Sequence, residues 1–243
     1  MKLVPLLLST LFSSCASTAS CLYGVTDCGP NNSCVKISQK EAACRAYSSN
    51  LPEVLFPMGS SPEVYCDQGN LAPNGGSHAF NNTSFSLDLM TNRNLPAATI
   101  KAGVGGQVIA YNKCVKKNDE CGNGFGNHVL ILNDDGHLFF YAHLEKVLVK
   151  TGELIKKGQN LGIEGNTGWT GENNRHLHFS VHYSWKKLGL DYLKTNVGHL
   201  PDSVPFKINI CQPNYSDCKI KFTDSRDLKC TRTTNKVEWL KVL

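Results

Sequence analysis

The sequence predicts a mainly β protein in which most strands pair antiparallel. The first observation is a set of short runs in which apolar and polar residues alternate, because successive side chains of a strand point to opposite faces. The second is the set of glycine-rich or Asp-Gly turns that separate these runs, which are typical of hairpins. The third is that no long stretch has the 3.6-residue period of an amphipathic helix, apart from a weak one near residues 41–47.

The N-terminus has the composition of an export signal. Met1 and Lys2 form a short basic region, residues 3–12 are apolar, and residues 17–19 are small enough for a signal-peptidase site. No later apolar run reaches the length of a membrane span. We therefore expect residues 1–19 to be a signal peptide and the protein to be secreted or periplasmic. The alternative is a lipoprotein that is anchored to a membrane through an acylated Cys15.

The cysteines favour an oxidising compartment. One of the 11 cysteines lies in the leader, and the remainder is an even number that suits disulfides. No two cysteines have the C-x-x-C spacing that zinc-binding pairs favour. Cys114 and Cys121 flank a charged loop that a local disulfide would close. Three cysteines lie beyond residue 201, so at least one of them must bond outside this tail if all are paired.

The cysteine content and the Pro/Gly-rich segments suggest how the chain is divided into domains. Residues 20–54 are a Cys-rich arm or propeptide-like module, 55–200 the main domain, and 201–243 a Cys-containing C-terminal extension. Hydrophobic residues make up 41% and charged residues 19%, as in ordinary globular proteins. The net charge of +5 would favour an anionic surface such as a cell envelope, and no basic block argues for nucleic acid.

Five runs in the main domain have the strand pattern, namely residues 84–89, 107–111, 127–132, 138–144 and 176–183. Asp134, Asp135 and Gly136 predict a hairpin between the third and fourth runs. Residues 147–162 contain two similar units in which a strand end enters a glycine turn. Such units would also suit a biotinyl- or lipoyl-carrier domain, an interpretation that the export signal and the cysteines disfavour.

The last of these runs contains several candidate functional residues. It reads R-H-L-H-F-S-V-H-Y, and its alternation places His176, His178, Ser180 and His182 on one face. Two imidazoles at positions i and i+2 of a strand lie roughly 6.5–7 Å apart. One of them could bind a metal while another acts on a water at that metal.

Three further positions could complete such a site. Asp88 lies between two leucines of its strand, and a divalent metal would explain a buried carboxylate that is otherwise costly. His143 is the next-to-last residue of the 138–144 run, where alternation puts it on the face of Phe139 and Tyr141. His78 lies in a glycine-loosened loop before the Asp88 strand. The other histidines are expected to line the cleft, as His182, or to be structural or exposed, as His128, His137 and His199.

In order and combination, these passages resemble the zinc endopeptidases of the lysostaphin and β-lytic metallopeptidase family, which cut peptide bonds in bacterial cell walls. The matching passages are Ser77-His78, Ser86-Leu87-Asp88, Gly126-Asn127-His128-Val129, Tyr141-Ala142-His143-Leu144, residues 149–159, Gly165-Asn166-Thr167-Gly168 and His176-Leu177-His178-Phe179. Nine residues separate His78 from Asp88, a longer spacing than the H-x-x-x-D of many members, and it resembles the β-lytic branch.

The resemblance implies both a fold and a site. The fold would be the lysostaphin-type peptidase fold, related to the duplicated hybrid motif, with antiparallel sheets that form a cleft. His78, Asp88 and His178 would bind one Zn²⁺ per chain, and His143 and His176 would be the catalytic histidines. Two imidazoles, one carboxylate and a water suit a four-coordinate catalytic zinc, and free imidazoles suit proton transfer. Members also place a tyrosine near the oxyanion, for which Tyr183 and Tyr192 are candidates by position.

The expected function is therefore that of an exported zinc metalloendopeptidase that acts on peptidoglycan peptides or cross-bridges. The alternative is a non-catalytic member that binds wall material or activates another hydrolase. Degenerate members usually lose site residues, whereas this chain retains all five positions.

Overall fold

The structure is a computed structural model that describes most of the expected main domain and parts of both flanking segments. The described residues are 32–36, 42–46, 50–59, 63–70, 77–79, 82–115, 119–183, 200–201, 203–209, 222–228, 230 and 239–240. None of the helices among them is long and apolar enough to cross a membrane.

Short strands dominate the described residues. In chain order they are β1 (Asn32–Lys36), β2 (Ala42–Ala46), β3 (Glu53–Leu55), β4 (Val64–Gln68), β5 (Ser86–Thr91), β6 (Thr99–Lys101), β7 (Gly106–Tyr111), β8 (Asn127–Leu132), β9 (His137–Leu144), β10 (Lys146–Val147), β11 (Leu154–Ile155), β12 (Asn160–Ile163), β13 (Leu177–Tyr183), β14 (Lys207–Asn209), β15 (Phe222–Asp224) and β16 (Trp239–Leu240). Two short 3₁₀ helices, Ser77–Ala79 and Ser225–Asp227, accompany them.

An eight-stranded antiparallel sheet is the largest element. Its strand order is β11-β7-β8-β9-β13-β5-β4-β16. Two three-stranded sheets, β10-β12-β6 and β15-β14-β3, and the β1-β2 hairpin complete the described fold. All pairs are antiparallel except that of β14 with β3. The predicted class, mainly β with antiparallel sheets, is confirmed.

The two faces of the large sheet follow the predicted alternation on β13 and β5. Leu177, Phe179 and Val181 of β13 belong to the main hydrophobic core, together with Leu87 and Leu89 of β5. The intervening polar residues therefore point to the opposite face. That face carries the candidate site, beside a smaller apolar cluster of six buried residues, which are Ile109, Leu130, Leu138, Phe140, Ala142 and Leu200.

The alternation fails at His143, which corrects the sequence-based prediction. Tyr141 lies in the main core, so His143 would face the core as well if β9 were regular. Instead, the register with β8 shifts between Asn127 and Val129, where two residues of β9 face one of β8. His143 lies in this bulge with a φ of 62°, a left-handed conformation that is uncommon for a non-glycine residue. Its ring centroid consequently lies 6.0 Å from that of His178, on the other face.

Two disulfides whose cysteines both lie in the described part of the chain fix loops around the sheet. Cys114 bonds to Cys121 and closes the charged loop, as the sequence predicts. Cys230 bonds to Cys66 of β4, so the C-terminal extension is tied to the main domain. Strand β16 of the extension also pairs with β4. The expectation of a disulfide-linked extension is therefore confirmed for the C-terminal segment.

The weak helical period near residues 41–47 does not produce a helix. Residues 42–46 form strand β2, which pairs antiparallel with β1 and places Cys44 opposite Cys34. Helix propensity is a weak prior in so short a segment, and the hairpin pairing overrides it.

The predicted turns are present. Gly136 adopts a φ of 83° and its N–H donates to the carbonyl of Asn133, which closes the hairpin between β8 and β9. The two similar units in residues 147–162 end in equivalent turns, at Gly152 with a φ of 90° and Gly158 with a φ of 85°. Glycine tolerates these positive φ values without steric cost.

Candidate metal centre and histidine pair

Three potential metal ligands converge on the face of the sheet opposite the main core. The pairing of β5 with β13 places His178 directly beside Asp88, and His78 reaches them from the first 3₁₀ helix. Oδ1 of Asp88 lies 3.1 Å from Nε2 of His78 and 3.0 Å from Nδ1 of His178, and the two nitrogens are 3.4 Å apart. Within the described part of the chain, this is the one group of three or more potential ligands of this kind.

The arrangement fits a zinc ion. The ligand atoms of a tetrahedral zinc site, with bonds of about 2.0–2.1 Å, lie about 3.3–3.4 Å from one another. Nδ1 of His78 lies 2.9 Å from the carbonyl oxygen of Gly69, which can only accept, so Nδ1 carries the proton. Nε2 of the neutral ring then presents a lone pair to the carboxylate of Asp88, and a cation relieves that repulsion. The carbonyl of Gly69 is the kind of outer partner that metal-bound histidines have.

The charges of Asp88 and His178 suit this donor set, whereas Asp88 favours a proton on His78 that a bound metal would displace. Burial raises the pKa of Asp88, but His78 and His176 outweigh burial and hold that pKa well below its usual value, so the carboxylate is ionised. Burial lowers the pKa of His178 despite the nearby carboxylate, which favours the neutral imidazole that binds metals. Burial also opposes protonation of His78, yet Asp88 raises the pKa of His78 above its usual value.

His143 and His176 form a pair beside this cluster. Their ring centroids are 4.7 Å apart, and Nε2 of His176 lies 3.9 Å from Oδ1 of Asp88. Nδ1 of His143 lies 2.9 Å from the carbonyl oxygen of Thr167, and Nδ1 of His176 lies 2.8 Å from that of Asn174. Because a carbonyl only accepts, both Nδ1 atoms donate, and both Nε2 atoms hold the lone pair when the rings are neutral.

The pKa of His143 keeps its imidazole in the neutral form. Burial holds this pKa well below its usual value, and the neighbouring His176 and His178 lower it further. The ring is therefore neutral at neutral pH. Its Nε2 atom is available to accept a proton, and its orientation is fixed through Nδ1.

Two glycine-containing loops hold His143 in its bulge. The N–H of His143 donates to the carbonyl of Phe125, 2.9 Å away, and the hydroxyl of Thr167 donates to the carbonyl of Leu144. A Cβ atom at Gly126 would lie only 2.2 Å from the carbonyl oxygen of Thr167. Glycine is therefore needed for the two loops to approach closely enough to orient the imidazole.

Three residues near the site are not among the functional residues predicted from the sequence. Glu164 is fully buried and lies 3.4 Å from the guanidinium of Arg175, directly before His176. Glu164 is an isolated carboxylate in the apolar segment 161–165, so the cost of burying an unpaired carboxylate, which marks Asp88, marks Glu164 as well. The third is Phe125, whose ring lies 5.6 Å from that of His178; no sequence pattern marks it.

His182 does not line the cleft, contrary to the sequence-based expectation. It is fully buried, because Ser203 forms a bridge with it and the carbonyl of Pro201 lies 2.8 Å from its Nδ1. Its Nε2 accepts a hydrogen bond from the hydroxyl of Ser180, 2.7 Å away. Although Ser180 and His182 are within the distance of a nucleophile–base pair, neither is accessible to a substrate, and the pair satisfies polar atoms inside the fold.

The remaining predicted residues have no described contact with the site or fall outside the described residues. His128 is buried and its Nδ1 donates to the carbonyl of Gly126, and His137 is half-buried at the start of β9. His199, Tyr192 and the side chain of Tyr183 lie outside the described residues.

Comparisons with known proteins match part of the sequence to one family model. Residues 88–190 match the sequence model of Peptidase family M23. An uncharacterized metalloprotease of Buchnera aphidicola is 30% identical over 121 residues, which cover 49% of this chain and 31% of the relative. The peptidoglycan DD-endopeptidase ShyA of Vibrio cholerae is 39% identical over 56 residues, or 23% of this chain and 13% of the relative.

A relative with a different role is also similar. The murein hydrolase activator NlpD of Salmonella dublin is 35% identical over 71 residues, which cover 29% of this chain and 18% of the relative. The alignments thus span between 13% and 31% of the length of these relatives. Among solved structures, the catalytic domain of lysostaphin from Staphylococcus simulans is 25% identical over 54% of this chain and 80% of that chain, with a TM-score of 0.33.

Proposed function

We propose that this protein is an exported, zinc-dependent endopeptidase that hydrolyses peptide bonds in bacterial cell-wall peptidoglycan. The match of residues 88–190 to the sequence model of Peptidase family M23 supports this proposal. The similarity to a peptidoglycan DD-endopeptidase supports the substrate class. The similarity to the outer membrane antigenic lipoprotein B of Haemophilus influenzae supports a place in the cell envelope.

A single observation carries the proposal. Two imidazoles and one carboxylate converge within 4.8 Å, and a second pair of imidazoles lies beside them, each with its Nδ1 bonded to a backbone carbonyl. A structural zinc site would have a fourth protein ligand, whereas three ligands leave a position open for chemistry. Neighbouring histidines with fixed tautomers are what hydrolysis of an amide requires in addition.

His78, Asp88 and His178 are the proposed ligands of one zinc ion. When bound, zinc supplies Lewis acidity that polarises a carbonyl oxygen and acidifies water. With zinc bound, the three side chains would contribute one negative charge and two neutral donors, so the centre would keep a net positive charge that attracts a peptide carbonyl. The carbonyl of Gly69 fixes the orientation of the His78 ring.

His143 and His176 are the proposed catalytic residues. Nε2 of one neutral imidazole accepts the proton of the attacking water, and the imidazolium so formed delivers that proton to the leaving amine. Nε2 of the other ring donates a hydrogen bond to the developing oxyanion in the protonated form of that ring. The carbonyls of Thr167 and Asn174 hold the rings in the tautomer that leaves Nε2 for this exchange. The products are one new carboxyl group and one new amino group for each water consumed.

The division of the chain is part of the proposal. Residues 1–19 are the export signal, 20–54 a Cys-rich arm, 55–200 the peptidase domain and 201–243 an extension. The five site residues all lie between 55 and 200. The Cys66–Cys230 bond and the pairing of β16 with β4 support an extension that is attached to the peptidase domain.

A second candidate function is that of a non-catalytic activator of another wall hydrolase. The similarity to the murein hydrolase activator NlpD favours it. The presence of both the ligand cluster and the histidine pair argues for catalysis instead, because an activator has no need of a proton acceptor beside a metal centre.

Digestion of purified peptidoglycan separates the two functions. The mature protein is incubated with soluble muropeptides, with and without a chelator, and the products are identified by mass spectrometry. We expect zinc-dependent products that have each gained one water, and none with the His178→Ala variant. Wall binding or stimulation of another hydrolase, without such products from the zinc-loaded protein, would establish the activator function.

A further inference from the structure

An ion pair between a buried glutamate and a partly exposed arginine adjoins the histidine pair, and neither the ligand set nor the proton-transfer residues account for it. The carboxylate of Glu164 is fully buried, and its Oε2 lies 3.4 Å from Nε of Arg175. Burying a carboxylate costs free energy that its attraction to a partner charge often does not offset, so such a pair is weak evidence for stability. Its position beside the site suggests a different purpose.

The hydroxyl of Thr91 joins the two charged groups. It donates to Oε2 of Glu164 and accepts from Nη2 of Arg175. The carboxylate also accepts from the N–H groups of Thr91 and Ala98, at 3.0 and 3.1 Å. The guanidinium donates to the carbonyl of Leu95, 3.0 Å away. The network therefore links Thr91, at the end of the strand β5 that contains Asp88, to Glu164 and to Arg175.

The backbone of His176 lies just beyond the end of the strand pairing in the large sheet. The pairing of β13 with β5 begins at Leu177 and that with β9 at His178, so the backbone of His176 lies outside both ladders. It is held by a bridge to Gly165, in which the N–H of His176 donates to the carbonyl of Gly165 over 3.0 Å. Glu164 and Arg175 are the residues directly before the two ends of this bridge.

The same bridge sets the distance between the two catalytic candidates. A Cβ atom at Gly165 would lie 2.0 Å from the backbone nitrogen of Glu145, so Gly165 packs tightly against the chain just after His143. A displacement of residues 164–165 relative to β13 would therefore change the separation of His143 and His176. Misplacement of a reacting group by about 1 Å can cost on the order of 100-fold in rate.

We propose that Glu164 and Arg175 are positioning residues, which clamp the 164–165 and 175–176 segments together and so hold the His176 imidazole against His143 and the metal centre. This proposal rests on the proposed peptidase function for its consequence in catalysis. The placement of the His176 ring can be measured without that function.

The test uses the full mature protein and four variants. Arg175→Met removes the charge, Arg175→Lys keeps it without the planar fork, and Glu164→Gln keeps the shape of the carboxylate. Arg226→Met is the matched control, because Arg226 pairs with Asp224 over 2.7 Å at an exposed position. Bound zinc, thermal unfolding, kcat and KM on a soluble muropeptide, and ¹H–¹⁵N spectra of the histidine rings are recorded for each.

We expect Arg175→Met to bind a full equivalent of zinc and to lose about 100-fold in kcat, with KM within about twofold. Arg175→Lys should recover part of that loss, and Arg226→Met should match the wild type. The Nδ1–H signal of His176, donated to Asn174 in the intact protein, should shift or broaden in both Arg175 variants. If Arg175→Met does not fold, the same measurements on Arg175→Lys and Glu164→Gln test the positioning role.

Native kcat and an unchanged His176 signal in the folded variants would overturn the positioning role. So would a loss of activity that only follows the loss of zinc or of folded protein, because that is a structural effect. If the wild type cleaves no peptide but the His176 signal moves in Arg175→Lys, the proposed function fails while the positioning role stands.

Discussion

The imidazoles of His143 and His176 lie 4.7 Å apart between ring centroids, although regular alternation along β9 would have placed His143 in the hydrophobic core beside Tyr141. The bulge opposite residue 128 turns His143 to the other face of the sheet. Backbone bulges are common beside active sites because they redirect a side chain without changing the strand order. Here the bulge brings the ring of His143, from β9, next to the ring of His176, which directly precedes β13.

Removal of either ring should stop catalysis without loss of the metal. We predict that His143→Ala and His176→Ala each lower kcat on a muropeptide by about 10²- to 10⁴-fold, the usual contribution of a positioned acid or base. Zinc content should stay at one equivalent, since neither ring belongs to the ligand cluster. Steady-state kinetics and metal analysis of the same samples check both statements. His137→Gln, at the start of β9, is the histidine control, and native zinc with native kcat in His143→Ala would contradict the assignment.

The alternation of side chains predicts β5 and β13 from the sequence alone, because both strands have one core face and one polar face. The same alternation puts Asp88, His176 and His178 on the polar faces of their strands, and the family resemblance then assigns the ligand roles to Asp88 and His178. His78 lies outside a strand, and only the family resemblance assigns it to the cluster.

The position of His143 and the role of Glu164 could not be predicted in the same way. A bulge depends on how two loops far apart in the chain, around Gly126 and Thr167, pack against each other. Likewise, the Glu164–Arg175 pair forms through Thr91, which is distant in sequence. Local pattern holds no information on such contacts. The prediction for His182 is wrong because the residues that cover it, Pro201 and Ser203, lie beyond the predicted domain boundary.

Removal of a ligand should abolish metal binding rather than catalysis alone. We predict that His178→Ala and Asp88→Asn weaken zinc binding by more than about 100-fold, beyond the ~10- to 100-fold cost of losing an outer hydrogen-bond partner. Competition with a chromophoric chelator measures the affinity. Dialysis against a chelator should likewise remove the activity of the wild type, and zinc should restore it. Unchanged affinity in both variants would exclude this cluster as the zinc site.

The Cys66–Cys230 disulfide should affect the metal centre through Gly69. A Cβ atom at Gly69 would lie 2.7 Å from Sγ of Cys230, so the disulfide packs against the residue whose carbonyl orients His78. We predict that the Cys66→Ser/Cys230→Ser variant loses about 10-fold in zinc affinity, the lower end of the cost of a disturbed outer partner. Chelator competition on the wild type and the variant measures it.

The second disulfide provides the control for that prediction. Cys114–Cys121 closes a loop whose residue Asp119 donates from its N–H to the carbonyl of Gly168, next to the residue that orients His143. Cys114→Ser/Cys121→Ser should therefore lower kcat while zinc affinity stays native. Equal effects of the two double variants on zinc affinity would mean that disulfides act only through general stability.

Acid should destabilise the fold through its buried neutral histidines. Burial lowers the pKa of His128 to about 4, while the unfolded chain has a value near 6.5. Between these values the unfolded state binds more protons than the folded state, so the free energy of unfolding falls as the pH falls from 6.5 to 4. For one histidine the full loss is about 3 kcal/mol. His128→Asn keeps a donor for the carbonyl of Gly126 and removes the titrating group. The free energy of unfolding is measured with urea at pH 7 and at pH 4, for the metal-free variant and the metal-free wild type. We predict that the loss of this free energy between the two pH values is smaller in the variant, by up to this amount. Equal losses in the two proteins would contradict the burial of a neutral imidazole at position 128.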